Sequence, residues 1–299
     1  LEADAVSDMA VVKNGVGTSS IVGSGFTPDA TAPNIIAFSY SLQGVAASVS
    51  LTMDETIDIS SLVVGNIFLQ NKQDATLSHR LTSVTPGSTI DGTVFDLTLS
   101  KADVDAIKAK GFCTVKANCF ARFASGVFVD MNNLETSEIA DANAKQASTV
   151  TPDSTKPPLV SFAKIDYNTG ELTFEFNEPV NPLTMNPVKI TLSDDDNANQ
   201  VEHTLTLTGG STSSSVGPTI VLKMSPDDLN TLKSNQGLCK SNKGFDCSVT
   251  MEPEFIKDMS DNVVADTASD FDSLVQLVVL DTGGPILVKS TIDIQDGKL

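Results

Sequence analysis

Hydrophobic and polar residues alternate with a period of two in many short segments of the chain. The clearest run is Leu172-Thr-Phe174-Glu-Phe176, in which every second side chain is apolar. Such alternation predicts a β-strand with one buried face and one solvated face. Further short runs predict strands over residues 48–53, 66–70, 80–84, 94–99, 119–124, 189–192, 203–208, 219–224 and 247–251.

Two segments break this alternation and predict short helices. Ser225 is followed by Pro226 and two aspartates. A serine cap, a proline at the first helical position and acidic residues in the first turn are typical of a helix start. The corresponding segment begins at Ser100, and we expect Gly111 and Gly237 to end the two helices.

The chain repeats itself. Asp29, Asp153 and Asp281 each precede a proline by four residues, at spacings of 124 and 128 residues. An Asp-Met pair, one histidine and two cysteines per unit keep nearly the same spacing. We therefore predict a window on a longer array, with the tail of one repeat at 1–28, complete repeats at 29–152 and 153–280, and the start of another at 281–299.

About seven short strands per repeat, separated by clusters of Asn, Gly, Asp and Ser, indicate an all-β fold. We predict tandem immunoglobulin-like β-sandwiches, each with one short helix that crosses from one sheet to the other. A hydrophobic content of 40% is ample for packed cores, so global disorder is not expected.

Composition narrows the possible functions. The net charge of −19 argues against nucleic acid or an anionic membrane surface as a partner. No apolar run is long enough for a transmembrane helix, so no membrane segment is expected in this chain. His79 and His203 are the only histidines and are interpreted as structural. Without a phosphate loop, a nucleophile elbow or a zinc-protease motif, we expect no enzymatic activity.

Each complete repeat contains one pair of cysteines, Cys113 with Cys119 and Cys239 with Cys247. Four cysteines allow three pairings. Because each repeat is expected to fold on its own, we predict a disulfide within each repeat. Zinc is the alternative, but a structural zinc site needs four thiolate or imidazole ligands. Disulfides indicate an oxidising compartment, and hence an extracellular or cell-surface protein.

Acidic residues at the predicted junctions and Asp-Met turns suggest calcium as the one possible cofactor. The candidate ligands are Asp29, Asp130, Asp153 and Asp258. Oxygen-bound cations often stiffen tandem extracellular domains, whereas solvated acidic turns without an ion are the alternative. Glu55 and Glu178 occupy matching positions at the end of a strand. We interpret them as turn or linker contacts rather than half of a glycosidase carboxylate pair.

Several motifs resemble a known family. The run Asp153-Ser-Thr-Lys-Pro157, followed by Leu-Thr-Phe-Glu-Phe-Asn-Glu-Pro-Val at 172–180, resembles bacterial-immunoglobulin-like repeats of surface-layer and adhesin proteins. Leu-Thr-Leu-Thr-Gly-Gly at 205–210 and Ile-Lys-Asp-Met at 256–259 look like repeats of large algal cell-surface proteins, including mastigoneme-type flagellar-hair proteins. The first repeat departs from the pattern, with Met-Asp-Glu-Thr at 53–56.

The repeat pattern and this resemblance imply a non-enzymatic structural segment of a long extracellular protein. It would act as a rod or fibre spacer, or as an assembly module of a cell-surface filament. Its partners would be neighbouring repeats of the same chain and other copies or other proteins of the filament. An adhesin or glycan-binding module is the alternative, but stacking on sugars favours aromatic side chains, and the chain has no Trp and two Tyr. An accessory module of a wall-degrading enzyme would require a catalytic domain elsewhere.

Overall fold

The computed structural model describes residue 25 and residues 27–157, 159–194, 203–235, 237–239, 247–265 and 273–284. Contacts divide the chain into two units, Leu1–Ala32 and Pro33–Leu299. All strands and helices of the described residues lie in the second unit. The predicted partial repeats at 1–28 and 281–299 fall largely outside the described residues, and the predicted repeat boundaries stay predictions.

The elements from Ile35 to Thr151 form what we call the first sandwich. They are β1 (Ile35–Gln43), β2 (Ala46–Asp58), β3 (Ile67–Gln70), β4 (Ser78–Arg80), β5 (Val84–Pro86), β6 (Gly92–Leu99), α1 (Lys101–Lys110), β7 (Phe120–Phe123), β8 (Val129–Asp130), β9 (Lys145–Gln146) and β10 (Val150–Thr151).

A corresponding order of elements recurs from Leu159 to Val279, the second sandwich, with one strand in place of β9 and β10. They are β11 (Leu159–Asp166), β12 (Glu171–Asn181), β13 (Ile190–Ser193), β14 (Thr204–Thr206), β15 (Gly210–Ser211), β16 (Gly217–Met224), α2 (Pro226–Ser234), β17 (Ser248–Met251), β18 (Lys257–Asp258) and β19 (Ser273–Val279).

Two sheets build the first sandwich. One has the strand order β10-β1-β2-β6-β5, with β8 paired to β2, and the other has the order β4-β3-β7-β9. Strands β1 and β10 run parallel, while the other pairs are antiparallel. This order matches the ABED and CFG sheets of the immunoglobulin fold.

In the second sandwich, one strand belongs to both sheets. Strand β19 pairs with β17 through its first residues and then with β11, in parallel, from Val275 onward. The sheet order is therefore continuous, β14-β13-β17-β19-β11-β12-β16-β15, with β18 paired to β12. In the first sandwich, two separate strands make these two pairings: β9 pairs with β7, and β10 pairs with β1. The prediction of an all-β fold with immunoglobulin-like sandwiches and one helix in each is confirmed.

Each sandwich has its own hydrophobic core, formed by the inward side chains of its alternating strands. Phe95 stacks on Phe128 in the first core, with ring centroids 5.7 Å apart. Phe162 stacks on Phe174 in the second core, at 5.3 Å. The side chains that the period-two pattern predicts to be buried thus lie in the core between the two sheets.

The two helices begin as the sequence predicts. The Ser100 hydroxyl accepts the Asp103 N–H, and the Ser225 hydroxyl accepts the Asp228 N–H. Gly111 ends α1 in the left-handed conformation, with a φ of 69°. The predicted stop at Gly237 is wrong, because α2 ends earlier, at Ser234, and its last turn closes without a left-handed residue.

A buried aspartate in the first turn ties α1 to the segment between β4 and β5. Asp103 accepts hydrogen bonds from the backbone of Thr82 and Ser83 and lies 2.8 Å from the His79 ring nitrogen. Burial would raise the pKa of the Asp103 carboxyl, but these bonds outweigh burial and lower it. His79 therefore holds a helix in place. Each helix connects one sheet to the other, β6 to β7 or β16 to β17, as predicted.

Candidate functional site

A lysine side chain is buried at the end of the first sandwich. Lys108 lies in the last turn of α1, next to Val104 and Ile107, which are buried in the first core. The helix packs against β12 of the second sandwich. The Lys108 side chain is only 2% exposed, which is rare for a lysine unless carboxylates pair with it.

Two carboxylates on the far side of the repeat boundary pair with this lysine. Lys108 Nζ donates to Asp153 Oδ2 at 2.6 Å and also to Glu178 Oε2. Both carboxylates are buried. Asp153 follows the last strand of the first sandwich, whereas Glu178 lies within the second sandwich. One ammonium group therefore links the two sandwiches directly.

Asp153 is held by several donors besides the lysine. Its Oδ1 accepts the Thr155 N–H at 3.0 Å, the Thr155 hydroxyl at 2.6 Å and the Gly44 N–H at 2.9 Å. Burial alone would raise the pKa of the Asp153 carboxyl. The bonds from Lys108, Thr155 and Gly44 outweigh burial and lower the pKa to about 2. Asp153 is therefore ionised beside the ammonium.

Gly44 gives the boundary a second contact. It lies in the turn between β1 and β2 with a φ of 57°, a conformation that a side chain strains. A Cβ atom at this position would lie 3.0 Å from the Thr155 hydroxyl oxygen. Glycine thus lets the turn of the first sandwich approach the Asp153–Thr155 segment closely.

Glu178 reaches the lysine because β12 is irregular there. The pairing of β12 with β16 shifts register between Glu175 and Val180, and Pro179 between them has no N–H to donate. The prediction that this glutamate ends a strand is wrong, since β12 continues to Asn181. Its interpretation as a linker contact agrees with its bond to Lys108.

The Glu178 carboxyl is in a different electrostatic state from Asp153. Burial raises its pKa, the Lys108 ammonium lowers it, and the nearby charges of Asp153 and Asp258 raise it further, so that the net shift is upward. Its Oε1 atom is buried and accepts no hydrogen bond from the described residues. Glu178 therefore holds its proton to a higher pH than an ordinary glutamate.

Asp258 completes a cluster of three acids. One ligand oxygen from each of Asp153, Glu178 and Asp258 lies within 4.8 Å of the others. Asp258 Oδ1 accepts the N–H groups of Ser260 and Asn262, each at 2.8 Å, and Oδ2 accepts the Asn262 amide at 2.9 Å. The structure thus brings together two of the four residues that the sequence singled out as calcium candidates.

The other two candidates lie elsewhere. Asp130 is buried at the matching position of the first sandwich, and its Oδ1 accepts the N–H groups of Asn132 and Leu134. Asp29 belongs to the unit Leu1–Ala32, where it accepts the Thr31 N–H at 2.9 Å.

The donor set of the cluster suits an ammonium group better than calcium. Calcium takes six to eight oxygen ligands. In the cluster of Asp153, Glu178 and Asp258, every carboxylate oxygen except Glu178 Oε1 already accepts a hydrogen bond from the protein. Lys108 supplies the positive charge that a metal ion would bring.

Sequence reasoning missed Lys108. The available signal was the repeat itself, because Lys233 occupies the same helical position, eight residues after the capping serine. Nothing in the local sequence shows that a helix lysine meets an aspartate 45 residues away and a glutamate 70 residues away. That meeting depends on how the two sandwiches pack.

The cysteines form the pairs expected within each repeat. Cys113 bonds to Cys119 and Cys239 bonds to Cys247, with S–S distances of 2.06 Å and 2.01 Å. Cys113 and Cys239 both adopt a φ of 56°. Each disulfide joins the segment after the helix to the beginning of the next strand, β7 or β17.

Comparisons with known proteins give no family for this chain. No family model matches it, and no curated protein matches it. One solved structure that it is similar to is native alpha-2-macroglobulin from Escherichia coli, spanning domains MG0-NIE-MG1. The two are 10% identical, with a TM-score of 0.27, and the match covers 75% of this chain and 67% of that one. The fold assignment rests on the sheets described above.

Within the described part of the chain, neither α1 nor α2 has the length and hydrophobicity that crossing a bilayer requires.

Asp153 makes the stability of the junction depend on pH. Its pKa is about 2 in the folded chain against an ordinary value of 3.8. The stabilisation is therefore present above pH 3.8 and lost as the pH falls toward 2, and it amounts to about 2 kcal/mol. Asp153→Asn should make the free energy of unfolding fall less steeply over this range, as measured by denaturant titration.

Two features keep this measurement specific. The pKa of Glu178 is raised above 4.5, so its contribution to the pH dependence falls at higher pH than the interval from 3.8 to 2 in which Asp153 acts. Asp96→Asn, at an exposed aspartate of β6, is the matched control and should keep the slope of the native chain. If Asp153→Asn loses stability as steeply as the native chain, Asp153 is not the group responsible.

Proposed function

We propose that this chain is a non-enzymatic structural segment of a long extracellular repeat protein. It acts as a spacer in a rod or fibre and belongs to a cell-surface filament of the flagellar-hair type. The observation that carries the proposal is the Lys108 ammonium of the first sandwich, buried against Asp153 and Glu178, which both lie beyond the predicted repeat boundary. A spacer must hold each domain at a fixed orientation to the next, and this buried contact between the two sandwiches can do so.

The energetics of the contact favour a stiff junction. Removing one partner from a buried ion pair costs about 3–5 kcal/mol, because the remaining charge has no solvent. Surface ion pairs contribute less than about 1 kcal/mol and would leave the domains free to reorient. Bending the junction enough to separate Lys108 from Glu178 would remove one of the two partners of this buried ammonium and would therefore cost more than breaking a surface pair.

Other features support an extracellular setting. Disulfides persist in oxidising compartments, and both sandwiches contain one. The resemblance of the motifs at 205–210 and 256–259 to repeats of algal surface proteins is the support for a filament of the flagellar-hair type. In this proposal the built-in ammonium replaces calcium as the stiffening cation, and neighbouring repeats and other filament proteins are the partners.

The glycan-binding alternative has less support. Sugar sites commonly present exposed aromatic faces. Both tyrosines, Tyr40 and Tyr167, are buried in the two cores. Among the described residues, the largest exposed hydrophobic side chains are aliphatic or methionine.

Substitution of Lys108 tests the stiffness directly. In Lys108→Met, a neutral side chain of similar length leaves Asp153 and Glu178 without their cation, so the two sandwiches should reorient independently. Small-angle X-ray scattering should then require an ensemble of inter-sandwich orientations, whereas the native chain should fit one orientation. Glu178→Gln is a milder variant for use if Lys108→Met folds poorly.

Lys101→Met is the matched control on the same helix. Lys101 is 52% exposed and pairs with Asp105 of its own helix, so its loss should leave the scattering of the native chain unchanged. A calcium titration with chelation completes the test. If chelation alone loosens the native chain, calcium rather than Lys108 stiffens the junction; if Lys108→Met stays rigid, the proposed mechanism is wrong.

Cellular placement needs a separate experiment. Gold-labelled antibodies raised against this chain should decorate filaments on the surface of intact, unpermeabilised cells, at regular intervals along each filament. Antibodies pre-absorbed with the purified chain are the control. Labelling confined to the cell interior, or binding of the purified chain to specific glycans on an array with no filament labelling, would contradict the spacer function.

A further inference from the structure

The two arginines of the chain lie in one row across one sheet. In the sheet β4-β3-β7-β9, Arg80 of β4 and Arg122 of β7 are the two cross-strand partners of Phe68 in β3. The neighbours of Phe68 along the strand, Ile67 and Leu69, are buried in the first core. Successive side chains of a strand point to opposite faces, so Phe68 lies on the outer face of the sheet. We call Arg80, Phe68 and Arg122 the arginine row.

Both guanidinium groups of the arginine row are held in position. The guanidinium carbon of Arg122 lies 3.6 Å from the centroid of the Phe68 ring, and that of Arg80 lies 5.8 Å from it. Arg80 Nε also donates to the Gly65 carbonyl oxygen. A Cβ atom at Gly65 would lie 2.6 Å from Arg80 Nη2, so glycine makes room for this guanidinium. The row therefore presents two planar cations whose geometry is set before a ligand binds.

The guanidinium groups remain available to a partner. Arg80 is exposed and Arg122 is half-buried, and neither forms an ion pair within the part of the chain that the structure describes. Asp141 lies close enough to sense Arg122. The Ala75 N–H and the Gln70 amide, which both donate to Asp141 Oδ1, lower the pKa of Asp141, and the Arg122 charge lowers it further. Asp141 is therefore bound by these two donors.

The charge of this sheet is opposite to that of the whole chain. Strands β3, β4, β7 and β9 contain both arginines, one lysine and one histidine, and no aspartate or glutamate. The chain has 38 acidic residues against 19 basic ones and a net charge of −19. A cationic face on such a molecule attracts acidic surfaces and disfavours other cationic faces.

The second sandwich shows that the fold itself does not require the arginine row. At the matching register, β14, β13 and β17 carry Thr206, Thr191 and Thr250. The hydroxyl groups of Thr191 and Thr206 lie 2.9 Å apart and hydrogen-bond to each other. Threonines thus build the same sheet, and the arginines and the ring are an addition specific to the first sandwich.

We propose that the arginine row is a docking surface for an acidic surface of a second copy of this chain. The inference rests on the proposed function and deepens it, because it names the face through which copies associate in the filament. Guanidinium groups bind carboxylates through paired N–H donors, and a second copy offers 38 acidic residues. Two cationic rows repel each other, so the row of one copy meets a different surface of the next. Such a heterologous contact can continue as an open filament.

The arginine side chains themselves report on this docking. Because the chain has two arginines, its ¹⁵N spectrum contains two arginine Nε–Hε signals, which Arg80→Thr and Arg122→Thr assign. A dilute ¹⁵N-labelled native chain is titrated with unlabelled native chain and, separately, with unlabelled Arg80→Thr/Arg122→Thr. The salt concentration is about 0.15 M, where a Debye length of about 8 Å screens most of the repulsion between two acidic chains. Both signals should shift with either partner, because the variant keeps its acidic surfaces.

Removing the row from both partners should abolish most of the association. Backbone amide shifts of labelled Arg80→Thr/Arg122→Thr, titrated with the same unlabelled variant, should give an apparent Kd about tenfold weaker than that of the native pair. Threonine occupies these positions in the second sandwich, so this variant is expected to fold. Lys101→Thr/Lys223→Thr is the matched control, since it removes two charges at exposed lysines outside the sheet. Its arginine signals should shift as in the native chain.

The outcomes separate this inference from the proposed function. If neither arginine signal shifts with the native chain, the docking surface is wrong, whereas the spacer proposal still rests on the rigidity of the Lys108 junction. If the signals shift with the native chain but not with Arg80→Thr/Arg122→Thr, the rows meet each other and the acidic partner is wrong. Signals that shift with alginate, a polymer of uronates, but not with the native chain would assign the row to a glycan and overturn the inference. Arginine shifts with cell labelling confined to the interior would contradict the filament and leave the docking surface standing.

Discussion

Burial of the Lys108 ammonium group is the constraint on which the arrangement of the two sandwiches depends. A charge removed from water costs several kcal/mol unless groups in the protein replace its hydration. Here the replacing groups come from two places, Asp153 beyond the last strand of the first sandwich and Glu178 inside the second. Lys108 keeps both of its carboxylate partners only when the two sandwiches hold one relative position. The pairing of this one side chain therefore fixes the orientation of one domain against the other.

The three acids around this lysine are not equivalent. Three carboxyl groups against one ammonium would leave excess negative charge in a buried place, at a cost that grows with burial. The pKa shifts of two of the acids go in opposite directions. Hydrogen bonds lower the pKa of Asp153 to about 2 and keep it ionised, whereas the raised pKa of Glu178 favours its neutral form. Asp258 is satisfied by backbone and amide donors of its own turn. Hydrogen-bond donors of the protein thus account for every carboxylate oxygen of the cluster except Glu178 Oε1.

The parts of the molecule that local sequence controls are those the sequence predicts well. Period-two alternation marks the strands, and the serine caps at Ser100 and Ser225 mark the helix starts, because each depends on neighbours in sequence. The sequence also indicated Asp153 and Asp258, but as calcium ligands. An acidic turn can be recognised in a sequence by its charge, whereas the group that binds it depends on the tertiary structure. Lys108 could not be predicted from its own surroundings, because Glu178 reaches it only through packing of α1 against β12, and Asp153 only through the fold of the first sandwich.

The measurement that tests the central claim most directly is the alignment of the two sandwiches in solution. Amide residual dipolar couplings would be recorded in a weakly aligned sample for residues 35–151 and 159–279. Because the Lys108 contact is buried and poorly screened by salt, one alignment tensor should describe both sandwiches at low and moderate ionic strength. Two tensors of different magnitude, as expected for domains that reorient independently, would contradict the account.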